Sequence, residues 1–454
     1  MKELVRLLLV VLISVLASCN SESELIYPPE NVVNRVTDFY LFNDGRTFLY
    51  LSSNMNRKYD FGELVLMHFD DEGDPIFQGS ILVPSISGKM AVTSDEKAVF
   101  ITTRDKNGVV KAKISGKPGS YRIHYDDGLK GDVPEILKTK KEPYALTLNK
   151  DNSKLLVTHI LNGELSIVDI KKWEVIKTTK LKYGVTEIIY DENTDYFLAS
   201  HKSSGNISLI EARDTVDDDF IVATKEVPIE LPTNGYDVRS LKQSGDGSVF
   251  YAAFQNTDSE DSYTNVYEED SAPQIVTLKF EDNELKTVST LALNGSLGEI
   301  AVLTFNTVSE NTENEEEDTN NETTADSDEE NPDDGEQTDD TEQTDDAEQT
   351  DDSDDSSETS DEDPKTEGRT GDLIFVSMPS DEKVVMIDSV RNKIRDEISY
   401  EDDDDECKPY QMHAKNIDET SGYLFVSCFQ NDMVYIYKID VQSEQIIKKI
   451  GVLE

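Results

Sequence analysis

A four-residue pattern recurs seven times along this chain. Each copy runs apolar, apolar, Ser or Thr, then a variable residue. The copies are Tyr50-Leu51-Ser52-Ser53, Phe100-Ile101-Thr102-Thr103, Leu156-Val157-Thr158-His159, Leu198-Ala199-Ser200-His201, Phe250-Tyr251-Ala252-Ala253, Phe375-Val376-Ser377-Met378 and Phe425-Val426-Ser427-Cys428. The fifth alone lacks the hydroxyl. Their starts lie 50, 56, 42, 52, 125 and 50 residues apart. A period of this length marks one supersecondary unit, which cannot bury its apolar surface without stacking on a neighbour.

The unit reads most clearly from Pro143. Tyr144 to Leu148, Leu155 to His159, Glu164 to Asp169 and Val175 to Thr179 are strand-like, separated by turns such as Asn149-Lys150-Asp151-Asn152-Ser153 and Asn162-Gly163. Four antiparallel strands, a to d, in about 45 residues make one propeller blade. No long helical periodicity competes. The expected fold is all-β: a seven-bladed β-propeller over residues 32–454, with a packed pair of β-sheets as the rival architecture.

The interval of 125 residues contains an acidic tract. Ser309 to Arg369 holds 29 acidic residues against two basic ones, and the hexamer Glu336-Gln337-Thr338-Asp339-Asp340-Thr341 is followed by two near copies. Like charges repel and almost nothing apolar is available to bury, so residues 307–370 are expected to be a disordered insertion in blade six. It would leave between strands a and b, on the face opposite the b-strand ends. Its simplest role is a solvated spacer. Nothing matches an EF-hand calcium loop.

The net charge is −51. Without the tract about −24 remains, so the folded part is acidic as well. Nucleic acid is not an expected partner, because a phosphate backbone requires a basic face.

Met1 to Arg6 carries Lys2 and Arg6, and an apolar run follows from Leu7 to Leu16. That run is about half of what a helix needs to span a bilayer, and it reads as an export signal over residues 1–18. Leu16-Ala17-Ser18-Cys19 resembles the bacterial lipobox. The resemblance implies that Cys19 becomes the acylated first residue of the mature chain, leaving a tether over 19–31 that contains Pro28-Pro29. The alternative is an ordinary signal with a chance Cys. Asn20, by the same resemblance, favours the outer membrane in a Gram-negative cell.

The seven copies resemble the YVTN-type β-propeller repeat, with Leu156-Val157-Thr158-His159, Gly163 and Ile167-Val168-Asp169 nearest to it. That family includes binding proteins, cell-surface proteins and relatives of enzyme propellers, so the likeness implies a fold and little about activity.

In a blade, the b-strand ends and the d-to-a connections share one face. His159 and His201 hold the same b-end position in adjacent blades and mark a candidate binding face. The alternative is that each imidazole bonds within its own b–c turn; no further metal ligand is evident. The acidic runs Asp258–Asp270 and Glu401–Glu406 fall on this face, and Tyr263 and Tyr267 could touch a partner there. Trp173, the single Trp, sits in a c–d turn, where packing or exposure is expected.

Once Cys19 is acylated, two cysteines remain. Export implies an oxidising compartment. The hairpin of Tyr410–Lys415 and Tyr423–Cys428 would bring Cys407 near Cys428, and a disulfide is expected; two free thiols are the alternative.

The sequence shows no nucleophile elbow, phosphate loop, Cys-x-x-Cys pair or haem motif. No catalytic residue, metal or cofactor is assigned. The leading expectation is a monomeric, lipid-anchored binding scaffold of the cell envelope, meeting a protein or carbohydrate partner. An enzyme or metal-dependent redox propeller, with its site on the His159/His201 face, is the alternative. A structural surface protein is the third class.

Overall fold

The second strand of each blade is apolar on both sides, and the fold buries both. In a sheet stacked between two others, neither face meets water, so alternation gives way to continuous apolar runs. Thr47–Ser52, Lys154–His159 and Ser421–Cys428 are buried at every position.

The computed structural model describes residues 25–29, 33–125, 134–202, 204–214, 220–231, 235–257, 271–306, 370–400, 407–440 and 446–453. These form seven antiparallel sheets in chain order, over 36–84, 87–138, 143–180, 185–228, 236–292, 300–399 and 409–453. Each is a four-strand meander. In blade two the outermost position is shared by Arg122–His124 and Ile136–Lys138, both paired with Gly108–Ser115. Strand a of each blade packs on strand a of both neighbours, so the seven a strands encircle the axis. The expected all-β, seven-bladed propeller is what the chain forms.

No strand is exchanged to close the ring. Blade one takes all four strands from the N-terminal part and blade seven all four from the C-terminal part. Aromatic packing joins them: Phe425 lies 5.6 Å from Phe39 and 5.0 Å from Phe48, ring centre to ring centre. Ser427 Oγ donates to the Val36 carbonyl at 3.3 Å, and Arg35 pairs with Asp432 at 3.5 Å.

The repeat register differs from the sequence reading in two blades. The first motif residue faces the following blade in Phe375, where it joins the core between blades six and seven, and in Phe425, which joins the core with blade one. Tyr50 instead packs toward blade seven and Phe250 toward blade four. Tyr251 and Ala253 take the forward-facing places in blade five. With both faces apolar, a one-residue slip leaves no trace in hydrophobicity.

The acidic tract lies between strands a and b of blade six, Ile300–Asn306 and Thr370–Met378, which pair to their ends with Asn306 opposite Thr370. The tract itself (307–369) lies outside the described residues, as do the signal segment, Cys19, both acidic runs, Tyr263 and Tyr267. Cys407 and Cys428 form the expected disulfide, with Cα atoms 5.0 Å apart. Trp173 packs in its c–d turn 5.9 Å from Phe100.

Candidate functional site

The repeated hydroxyl shapes the channel. Strand a carries an irregularity near its start in most blades, freeing one backbone N–H from the ladder. The motif hydroxyl of strand b accepts that proton: Thr102 Oγ1 from Lys89 N at 3.1 Å, Thr158 Oγ1 from Ala145 N at 3.2 Å, Ser377 Oγ from Glu299 N at 2.8 Å and Ser427 Oγ from Gln411 N at 3.2 Å. Blade five reverses the arrangement. Its motif position is Ala253, and the opposing Ser240 supplies the hydroxyl, accepting from Ile300 N at 3.0 Å and donating to Glu187 at 3.2 Å. Gly88 and Gly298 precede two of these places. A Cβ on Gly88 would collide with the Tyr144 carbonyl oxygen, and one on Gly298 with Ser377 Oγ.

Side chains from the a strands and the residues beside them face the axis, where charges from five blades meet. Lys242 Nζ lies 2.6 Å from both Glu187 Oε1 and Glu299 Oε1. Lys89 Nζ reaches Glu299 Oε1 from blade two at 3.4 Å. Glu187 Oε2 also accepts the Leu241 amide. Asp38 Oδ2 accepts Met90 N at 2.7 Å, tying blade one to blade two. Buried charge is tolerated only when paired and hydrogen-bonded, and this network meets that condition.

Burial and neighbours divide the carboxyls. Burial, aided by Glu299, pushes Glu187 up to about 7. Burial acts the same way on Glu299, but Lys242 and Lys89 outweigh it and hold that carboxyl down. Asp38 is raised by burial against the pull of Lys89. Burial opposes the charge on Lys89, yet Glu299, Asp38 and Glu187 raise it. His413 is pushed down to about 3 by burial and the adjacent lysines, so its ring is neutral. Its Nε2 is buried without a partner among the described residues.

Above this network lies a cavity of about 400 Å³. Lys89, Lys242, Glu187, Asp38 and His413 line its floor. Tyr40, Tyr190, Ser94, Asn149, Asn152 and Glu192 line its wall and mouth. Ser94, Asn149, Asn152 and Glu192 belong to a–b turns, so the cavity opens on the a–b face. His159 and His201 end their b strands on the other face. The channel cavity and the face carrying His159 and His201 therefore lie on opposite sides of the disc.

Both histidines are fully buried. His159 Nδ1 bonds the Lys141 carbonyl at 3.1 Å and Nε2 meets Ser166 Oγ at 2.9 Å. His201 repeats this with the Tyr183 carbonyl at 3.4 Å and Ser208 Oγ at 2.7 Å. A carbonyl only accepts, so each ring carries its proton on Nδ1 and accepts the serine hydroxyl at Nε2. Burial pushes His159 down to about 4 and lowers His201 as well.

None of the floor residues stood out in the repeat pattern. A signal for them exists in spacing. Lys89, Ala145 and Glu187 each lie 13 residues before the motif hydroxyl of their own blade, Thr102, Thr158 and Ser200. Among the described residues, no group of three His, Cys, Asp or Glu side chains is arranged to hold a metal ion.

No protein-family model matches this chain, and no curated protein matches it. Its architecture is shared with solved structures. Hydrazine synthase from Kuenenia stuttgartiensis aligns over 93% of this chain and 99% of its own, at 10% identity and a TM-score of 0.53. The periplasmic gluconolactonase of Pseudomonas aeruginosa aligns over 90% of this chain and 96% of its own, at 12% identity and a TM-score of 0.51. Identities this low establish a common fold and nothing about chemistry. The chain is a seven-bladed β-propeller with a polar cavity at one end of its channel.

Proposed function

We propose that this protein is a lipid-anchored propeller of the cell envelope whose central cavity binds a neutral, polyhydroxylated ligand of the carbohydrate class without transforming it. The lipobox-like Leu16-Ala17-Ser18-Cys19 supports export and acylation, and Asn20 favours the outer membrane. The YVTN-type likeness agrees with an envelope role.

One observation carries the ligand class: the cavity floor presents ammonium and carboxyl groups side by side, beside a neutral His413 whose buried Nε2 has no partner among the described residues. A strongly charged ligand would meet repulsion from one set. A polyol donates to carboxylates and accepts from ammonium groups with equal ease. The cavity volume falls in the usual range for small-molecule sites, and Tyr40 and Tyr190 add aromatic surface.

Calorimetric titration of the purified protein with a panel of neutral mono- and oligosaccharides tests this. Saturable binding is expected, weakened about tenfold or more in His413→Phe, which loses one buried hydrogen bond and narrows the floor. Absence of saturable binding across the panel, or binding indifferent to His413→Phe, would overturn it.

A second reading, an acid–base enzyme at the same floor, is favoured by one observation: Glu187 sits near 7, in contact with Lys242. Proton transfer is most effective at such a value. Release of product from a bound sugar or lactone, abolished by Glu187→Gln, would replace the binding reading with this one.

A further inference from the structure

We infer that the face carrying the b–c turns and d–a connections of blades one to four rests on the lipid surface to which Cys19 is attached, so that the central cavity faces away from the membrane. This rests on the acylation of Cys19 proposed above.

The N-terminal segment comes first. Ile26 N donates to Asp60 Oδ2 at 2.6 Å, Asp60 N donates to the Ile26 carbonyl at 2.8 Å, and Tyr27 stacks on Phe61 at 5.5 Å. Phe61 begins strand c of blade one, so the segment is pinned where b–c turns lie. Leu25 lies six positions after Cys19, with five residues between them. Fully extended, that span reaches about 20 Å. Acyl chains on Cys19 would therefore hold this edge of this face close to the bilayer.

The distribution of exposed apolar side chains points the same way. Eight large hydrophobic side chains are exposed among the described residues. Leu25, Ile26 and Tyr27 lie in the pinned segment. Leu161, in the b–c turn of blade three, and Tyr183, in the following d–a connection, are the two most exposed, at 66% and 67%. The other three, Ile76, Val288 and Ile394, lie on outermost strands. Five of eight thus share one face, at two separated places, in blades one and three.

Charge agrees. Backbone bonds from Ile160 N to the Glu142 carbonyl, Gly184 N to the Ile160 carbonyl and Lys202 N to the Gly184 carbonyl tie these loops together, and Lys140, Lys141 and Lys202 are exposed on them. Apolar and tyrosyl side chains flanked by lysines suit the boundary between headgroups and acyl chains. The a–b face, where the cavity opens, has none of these five apolar residues.

The test uses the full-length acylated protein, compared in detergent micelles and on vesicles of phosphatidylethanolamine and phosphatidylglycerol. Lysines are acylated with a water-soluble reagent and read by peptide mass spectrometry. Labelling of Lys140, Lys141 and Lys202 is expected to fall several-fold on vesicles, while Lys150 and Lys171, in turns of the opposite face, stay unchanged. The double variant Leu161→Glu/Tyr183→Glu alters only exposed positions and should restore labelling while the protein still floats with the vesicles. Flotation with equal labelling of both faces overturns this inference and leaves acylation standing. Failure to float, matched by Cys19→Ser, removes both.

Discussion

Glu299 holds two ammonium groups at once, and the channel network depends on it. Glu299→Gln leaves Lys89 and Lys242 short of a counter-charge in a buried site, a change that costs about 3–5 kcal/mol; denaturant unfolding at neutral pH measures it. Glu187 behaves differently. Its folded carboxyl is raised, so the native state binds more protons than the unfolded chain between 4.5 and about 7, and stability declines as pH rises through that window. Glu187→Gln should flatten the decline in melting temperature. His159 has the opposite sign. Its folded value is depressed from 6.5 to about 4, so stability is lost as pH falls through that interval. The loss from His159 reaches roughly 3 kcal/mol at the acid end. His159→Gln/His201→Gln should reduce the acid slope, leaving the part that His413 contributes, even though it lowers stability at neutral pH. The b-end histidines were conspicuous in the sequence because they sit in the motif. The floor residues were not, because a charged residue beside an apolar strand looks like any solvated strand end until the ring brings seven such strands together.

At the scale of elements, strand order was legible and register was not. Turn residues separate the strands of blade three, and the structure lengthens most of those readings by only a residue or so. In blades one and five the motif is one residue out, since strands buried on both faces carry no alternation to set the phase. What settles the phase is the backbone: the irregularity in strand a fixes which residue of strand b lies opposite it, Leu51 in blade one and Ala253 in blade five. The disulfide was readable because a hairpin restricts where its ends can lie. It joins two buried cysteines 21 residues apart, Cys407 just ahead of strand a and Cys428 at the end of strand b. Replacing both by Ser is expected to cost about 2–4 kcal/mol, seen as a lower denaturation midpoint with an unchanged slope. An equal loss on reduction of the wild-type protein would assign the effect to the bond rather than to serine in a buried place.

Across the whole molecule, the ring holds by packing at one seam without a shared strand. Phe425 meets Phe39, Phe48, Phe69 and Tyr423 there. Phe425→Ala should cost about 3–5 kcal/mol, whereas Val288→Ala on an exposed outer strand should stay within about 0.5 kcal/mol; paired unfolding curves decide. A similar cost at both positions would mean that the seam is no weaker point than the rim. Seven recurring copies of an apolar motif, with turn residues between strands, were enough to specify seven sheets and their number, because a blade's burial needs are local and repeat along the chain. The cavity, its opening on the face away from His159 and His201, and the Lys89–Glu299 contact across 210 positions of sequence arose only on closure. The a strands and the residues beside them supply the side chains at the axis. What those side chains meet there depends on which blades stand opposite, and that is a property of the ring rather than of any segment in it.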